Sequence, residues 1–209
     1  MPQQAPAPSR VWSRLAPITL VLISAGPASG QWSLELEPNH SSISFAVPVA
    51  GGITKVRGAF RSFSVQITYA ESEITQSKVI VTIEASSVDT NNEMRDEDLR
   101  GEKFFDVARH PLITFESRRI ARRGEGYVAV GDLAINGIKR TVELPFVITR
   151  IDHVPERGPV LGVSSVWSVN RQDFDLGTDW RHSAIPNFLG DDVTVEIDLW
   201  TRVGKRTPT

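Results

Sequence analysis

From residue 31 onward the apolar side chains of this chain recur mostly at every second position, and no other feature restricts its fold as strongly. A helix buries a stripe that repeats every 3.6 residues. A strand turns successive side chains to opposite faces, so a period of two describes strands with one buried face. Val79, Val81, Ile83 and Ala85 alternate with Ile80, Thr82 and Glu84; Val142, Leu144, Phe146 and Ile148 alternate with Thr141, Glu143 and Pro145. Val193, Val195, Ile197 and Leu199 alternate with Thr194, Glu196 and Asp198. Weaker forms of the pattern run through 42–49, 56–69, 112–120, 127–135 and 161–169, and with 32–36 they make about nine candidate strands.

Turn residues punctuate these runs: Gly51-Gly52, Gly124-Glu125-Gly126, Asn136-Gly137 and Arg157-Gly158-Pro159. Asn136-Gly137 is the strongest hairpin signal, because a type I′ turn needs positive φ at both central residues. Antiparallel strands on short connections build an all-β sandwich or a closed barrel, and periodicity leaves both open. No composition break or internal repeat divides residues 31–209, which are expected to form one domain. One segment departs from the pattern. Thr90-Asn91-Asn92-Glu93 fits a capping box with Thr90 as the cap. Residues 94–99 then read as a short helix ended near Gly101. Leu99, Phe104, Phe105 and Val107 give this connection an apolar side, so it is expected to pack on the strands as a lid or plug.

With 40% apolar and 23% charged residues the chain has the make-up of an ordinary globular protein. A formal net charge of −2 offers no electrostatic footprint for a nucleic acid. The absence of cysteine removes disulfides, thiolate metal sites and cysteine catalysis. Arg10 and Arg14 precede an apolar run over 15–26, and Ala28 and Gly30 follow as small residues two apart. This is the layout of a secretory leader cleaved after Gly30. The run is too short for a span, which needs roughly 20 apolar residues. Of the 23 Lys and Arg, Arg10 and Arg14 lie in the leader, so the expected mature chain carries 21 bases against 25 acids, a net charge of −4. Its expected location is periplasmic or secreted.

Signatures of chemistry are sparse. The four histidines, His40, His110, His153 and His182, form neither H-x-H nor H-x-x-x-H, so no metal site is expected. Nucleophile elbows and phosphate-binding glycine loops are absent. Arg95-Asp96-Glu97-Asp98 is the densest charge cluster. A catalytic reading makes Asp96 or Glu97 an acid or base tuned by Arg95. A solvated helix face with acids near the positive end of the helix dipole is the expectation. Arg118-Arg119 and Arg122-Arg123 form a basic turn, open to anionic headgroups or simply solvated. Asp173, Asp175 and Asp179 only partly meet calcium spacing, and residues 173–182 are expected to form a loop at a barrel mouth.

Several stretches, in order, resemble the YceI-like family. They are His40-Ser41-Ser42-Ile43-Ser44-Phe45, Val56-Arg57-Gly58-Ala59-Phe60 and Ser87-Val88-Asp89-Thr90-Asn91. Met94 to Leu99, Phe104-Phe105-Asp106-Val107 and His110-Pro111-Leu112-Ile113-Thr114-Phe115-Glu116-Ser117 follow. Gly131-Asp132-Leu133, Asn136-Gly137-Ile138-Lys139-Arg140, Asn170-Arg171 and Phe174 complete the resemblance. It implies a lipocalin-like antiparallel β-barrel of about eight strands, with a short helical segment after the fourth strand. It also implies a polyisoprenoid or isoprenoid quinone in the barrel, held for storage or transport, with no catalytic residue and no cofactor. The chain departs from the family pattern at Asp175, where a glycine is expected, and in the length and polarity of residues 173–190.

Strand parity and aromatic content nominate the cavity lining as Phe45, Phe60, Phe63, Val81, Ile83, Phe115, Val130, Leu133, Leu144, Phe146, Val163 and Trp167. The expected partner is an apolar lipid or isoprenoid, without nucleic acid; transient membrane-surface contact and a homodimer are compatible with it. Two alternatives stand beside this reading. One is an enzyme acting on an apolar substrate through Arg95, Asp96 and His182; the other is a stress-response barrel filled by its own side chains.

Overall fold

The structure, a computed structural model, describes residues 31–156 and 158–207. The expected leader and its cleavage point at Gly30 lie outside the described residues, as does Arg157 of the expected turn. The strands are β1 (Gln31–Leu36), β2 (Ser42–Val49), β3 (Thr54–Phe60), β4 (Phe63–Ala70), β5 (Lys78–Glu84) and β6 (Val88–Asp89). After the helix α1 (Glu93–Arg100) come β7 (Leu112–Arg123), β8 (Gly126–Ile135), β9 (Ile138–Val154), β10 (Gly158–Asn170) and β11 (Asp192–Thr207).

Eight strands close an antiparallel barrel in the order β1-β4-β5-β7-β8-β9-β10-β11, with β11 returning to β1. Closure leaves no free edge at this level. β11 is long enough for two partners: its far end pairs with β1, and residues 194–198 pair with β2. β2, β3 and β6 extend the wall at the other end of the barrel. The expected strand 56–69 is therefore two, broken at Arg61-Ser62. With Val88–Asp89 as a further short strand, the helix follows the sixth strand, where the sequence placed it after the fourth.

β6 pairs with β3 alone, through Ala59↔Asp89 and Phe60↔Val88, so no ladder joins it to β7. α1 fills this gap, and its side chains do the work of a neighbouring strand. Arg100 donates to the carbonyls of Ser86 (3.0 Å) and Val88 (3.3 Å), and Asp96 accepts the amide of Thr90 (3.0 and 3.2 Å). The cap differs from the expected box. Asn92, extended at φ −150°, accepts from the amide of Arg95 (3.1 Å). Thr90 is unavailable because its hydroxyl donates to Asp96 and accepts from Arg95.

The hairpin signal at Asn136-Gly137 corresponds to a two-residue turn between Ile135 and Ile138, with φ +49° and +72°. A bulge between Ser117 and Arg119 shifts the parity of β7. Ile113 and Phe115 are buried before it and Ile120 after it, so both Arg118 and Arg119 stay outside.

Candidate functional site

Inside the barrel lies a cavity of about 300 Å³ whose wall is almost wholly apolar. Alternating residues of the strands supply most of it: Ile43, Phe45 and Val47 from β2, Val81 and Ile83 from β5, and Val193, Val195 and Ile197 from β11. The aromatic wall is set by close backbone approach. A Cβ on Gly58 would lie 2.5 Å from the Phe45 ring, so only glycine leaves room for that ring against β3. Phe45 meets Phe60 at 5.7 Å between centroids, and Phe60 meets Phe105 edge-on at the same distance. Phe105 comes from the connection behind α1, so the predicted plug completes the wall.

Of the twelve nominated lining residues, Phe45, Phe60, Val81, Ile83, Phe115, Leu133, Leu144 and Trp167 border this cavity. Phe146 and Val163 border a second, smaller one of about 80 Å³ nearer the other end of the barrel. Phe63 sits opposite Ile83 and packs into the core cluster, bordering neither cavity. Val130 is corrected outright. It pairs with Arg119 on one side and Glu143 on the other, both exposed, and directly opposed residues share a face. Val130 therefore points outward, while Ala129, Leu133 and Ile135 take the inner face. Nominating both 130 and 133 broke the period of two within a single strand.

Sequence reasoning placed residues 173–182 at the mouth but nominated none of them for the lining. Leu176, Trp180, Phe188 and Leu189 of the long loop close over this end, and α1 contributes Arg95, Asp98 and Leu99. The loop is tied down by Arg171, which is only 8% exposed. Its guanidinium donates to the carbonyls of Leu176 (2.7 Å), Gly177 (3.0 Å) and Gly190 (3.1 Å) and to the Asp191 carboxylate (2.8 Å). One planar cation thereby binds both ends of the loop. Asn170-Arg171 was visible as a pair of interest, but only the fold reveals what it holds. Trp180, His182 and Phe188 cluster in the loop, with His182 and Phe188 stacked at 4.4 Å and 16° and Trp180 tilted against both. Asp175, where glycine was expected, has φ +56° and ψ +30°. This left-handed conformation explains the expectation, and aspartate is among the residues that tolerate it.

The charge cluster of α1 is not the expected solvated face throughout. Asp96 is 3% exposed, its carboxylate taken up by the amide and hydroxyl of Thr90. Arg95 donates to the Thr90 hydroxyl (2.8 Å) and carbonyl (2.9 Å). Among the described residues no hydrogen bond joins His182 to Arg95 or Asp96; the His182 Nδ1 accepts from the amides of Ala184 and Ile185. No group of three or more His, Asp or Glu among the described residues is placed to hold a metal ion.

Residues 34–200 match the family model described as YceI-like domain. A UPF0312 protein of Yersinia pestis (strain Pestoides F) is 32% identical over 160 residues, covering 76% of this chain and 83% of that protein. Among solved structures, Burkholderia cenocepacia BcnA superposes with a TM-score of 0.69 at 26% identity, over 79% of this chain and 99% of that one. A polyisoprenoid binding domain from Saccharophagus degradans, implicated in plant cell wall breakdown, superposes with a TM-score of 0.61 at 16% identity, over 82% and 98%. At that identity the likeness is one of fold.

Proposed function

The chain belongs to the YceI-like family, and from that premise we propose that it binds one apolar, lipid-like molecule inside its barrel, a polyisoprenoid or an isoprenoid quinone, for storage or transport outside the cytoplasm. The observation that carries the reading is the closed barrel with an apolar cavity of about 300 Å³. A lumen of this kind binds by burial. Each CH₂ removed from water contributes about 0.8 kcal/mol, so a five-carbon isoprene unit contributes at most about 4 kcal/mol. Two to four units then offset an association cost of about 4–15 kcal/mol with little help from a headgroup. The polyisoprenoid binding of the Saccharophagus domain, which shares the fold, supports the same ligand class.

Binding without chemistry is the reading the polar residues favour. Arg171 and Asp96 spend their hydrogen bonds on the protein itself. A barrel filled by its own side chains would have no such cavity, so that alternative is set aside. The test is to purify the protein under mild conditions and compare native with denaturing mass spectra. A bound mass lost on unfolding that extracts as a prenyl lipid supports the proposal. An unliganded mass, together with no uptake of farnesol or a short-chain quinone on titration, refutes it.

A further inference from the structure

The two cavities share four residues: Val81 from β5, Phe115 from β7, Leu144 from β9 and Ile197 from β11. These come from strands spread around the barrel and form one layer across it. Phe115 is the largest of the four and is 4% exposed. Its position is built into the neighbouring strand, since a Cβ on Gly131 would lie 2.8 Å from the tip of its ring. Beyond this layer the space does not end. The smaller cavity continues among Ile120, Ala129, Phe146 and Leu161.

We propose that Phe115, completed by Val81, Leu144 and Ile197, is a partition that sets the length of apolar chain the barrel accepts, with the lower cavity as a chamber the partition keeps out of use. The inference rests on the binding proposed above and adds its chain-length selectivity. A cavity of about 150 Å³ holds one benzene, so the upper cavity takes on the order of a dozen carbons, between two and three isoprene units. Longer chains meet the Phe115 ring and leave their remaining units in water at the mouth.

The experiment measures the affinities of geraniol, farnesol and geranylgeraniol, which carry two, three and four isoprene units, by quenching of tryptophan fluorescence; Trp167 and Trp180 border the cavity. For the wild type, affinity rises from geraniol to farnesol and then levels, with geranylgeraniol within about threefold of farnesol, because the added unit buries little surface. In Phe115→Ala the chambers merge and geranylgeraniol exceeds farnesol by at least about tenfold. Ala129→Leu, which fills the lower chamber without opening a void, leaves the wild-type profile unchanged and cancels the gain in the double variant. If Phe115→Ala fails to fold, Ala129→Leu alone decides.

A wild type that already prefers geranylgeraniol tenfold, and loses that preference in Ala129→Leu, overturns the partition. So does a Phe115→Ala profile that levels where the wild type does. Either result leaves the lipid-binding proposal standing, whereas no uptake of any prenyl alcohol by the wild type removes both.

Discussion

Replacing Asp96 by alanine isolates the joint on which the upper wall of the barrel depends. β6 has no strand on its outer side, and Asp96 supplies acceptors to the amide and hydroxyl of Thr90 that a neighbouring strand would otherwise engage. Both partners are buried, at 3% and 4% exposure. Hydrogen bonds to a charged group contribute about 1.5–3 kcal/mol each, and a buried donor left without an acceptor costs about 1–3 kcal/mol. The Thr90 hydroxyl still accepts from Arg95 and can reorient, so the amide carries most of the loss. The expected destabilisation is about 2–4 kcal/mol. At roughly 2–4 °C per kcal/mol for a chain of this size, Tm falls by about 4–16 °C. Urea unfolding followed by circular dichroism measures it, with the midpoint moving and the slope holding. Asp98→Ala, two residues along and exposed, stays within about 0.5 kcal/mol of wild type. Asp96→Ala within that same margin would refute the bridging role of α1 and restore the solvated-face reading.

The corrected parity of β8 predicts a contrast three residues apart. Leu133→Asp places a carboxylate in the cavity wall and lowers farnesol affinity at least about a hundredfold, while Val130→Asp, on the outer face beside Arg119, changes it less than about twofold; equal losses in fluorescence titrations would contradict the assignment. Asp89, the second residue of β6, titrates below the usual aspartate range because the Asn91 amide donates to it and, second, because Arg61 does (2.8 and 2.9 Å). A lowered folded-state pKa contributes stability that is complete above the unfolded value, about 3.9, and is lost as pH falls through the lower folded value. The stability gap between wild type and Asp89→Asn is therefore constant above about pH 5 and shrinks below about pH 4; a constant gap down to acid unfolding would exclude this coupling.

How much could be read in advance differs from one part of the barrel to another. The Asn136-Gly137 turn and the alternation in β5, β9 and β11 were legible because each depends on a few adjacent residues and a backbone with a short menu of conformations. Most of the inner residues of those strands accordingly border the two cavities. Val130 was misplaced because its parity in β8 is opposite to that of Leu133, which was nominated with it. The shift at Ser117–Arg119 was invisible because a bulge is defined by the partner strand. The cap moved from Thr90 to Asn92 because a buried carboxylate six residues on claimed the threonine hydroxyl.

By itself, then, the sequence determined most of the strands and the inner faces of β5, β9 and β11, together with the family through its ordered motifs. Tertiary structure alone decided that β11 serves two partners, that α1 stands in for a missing strand, that Arg171 ties down the mouth and that Phe115 divides the interior. The physical reason is that period and turn chemistry act within a few residues of chain. Closure, register and the shape of a cavity arise where segments a hundred or more residues apart meet, and side-chain volume on one strand is felt only against whatever the fold sets opposite it.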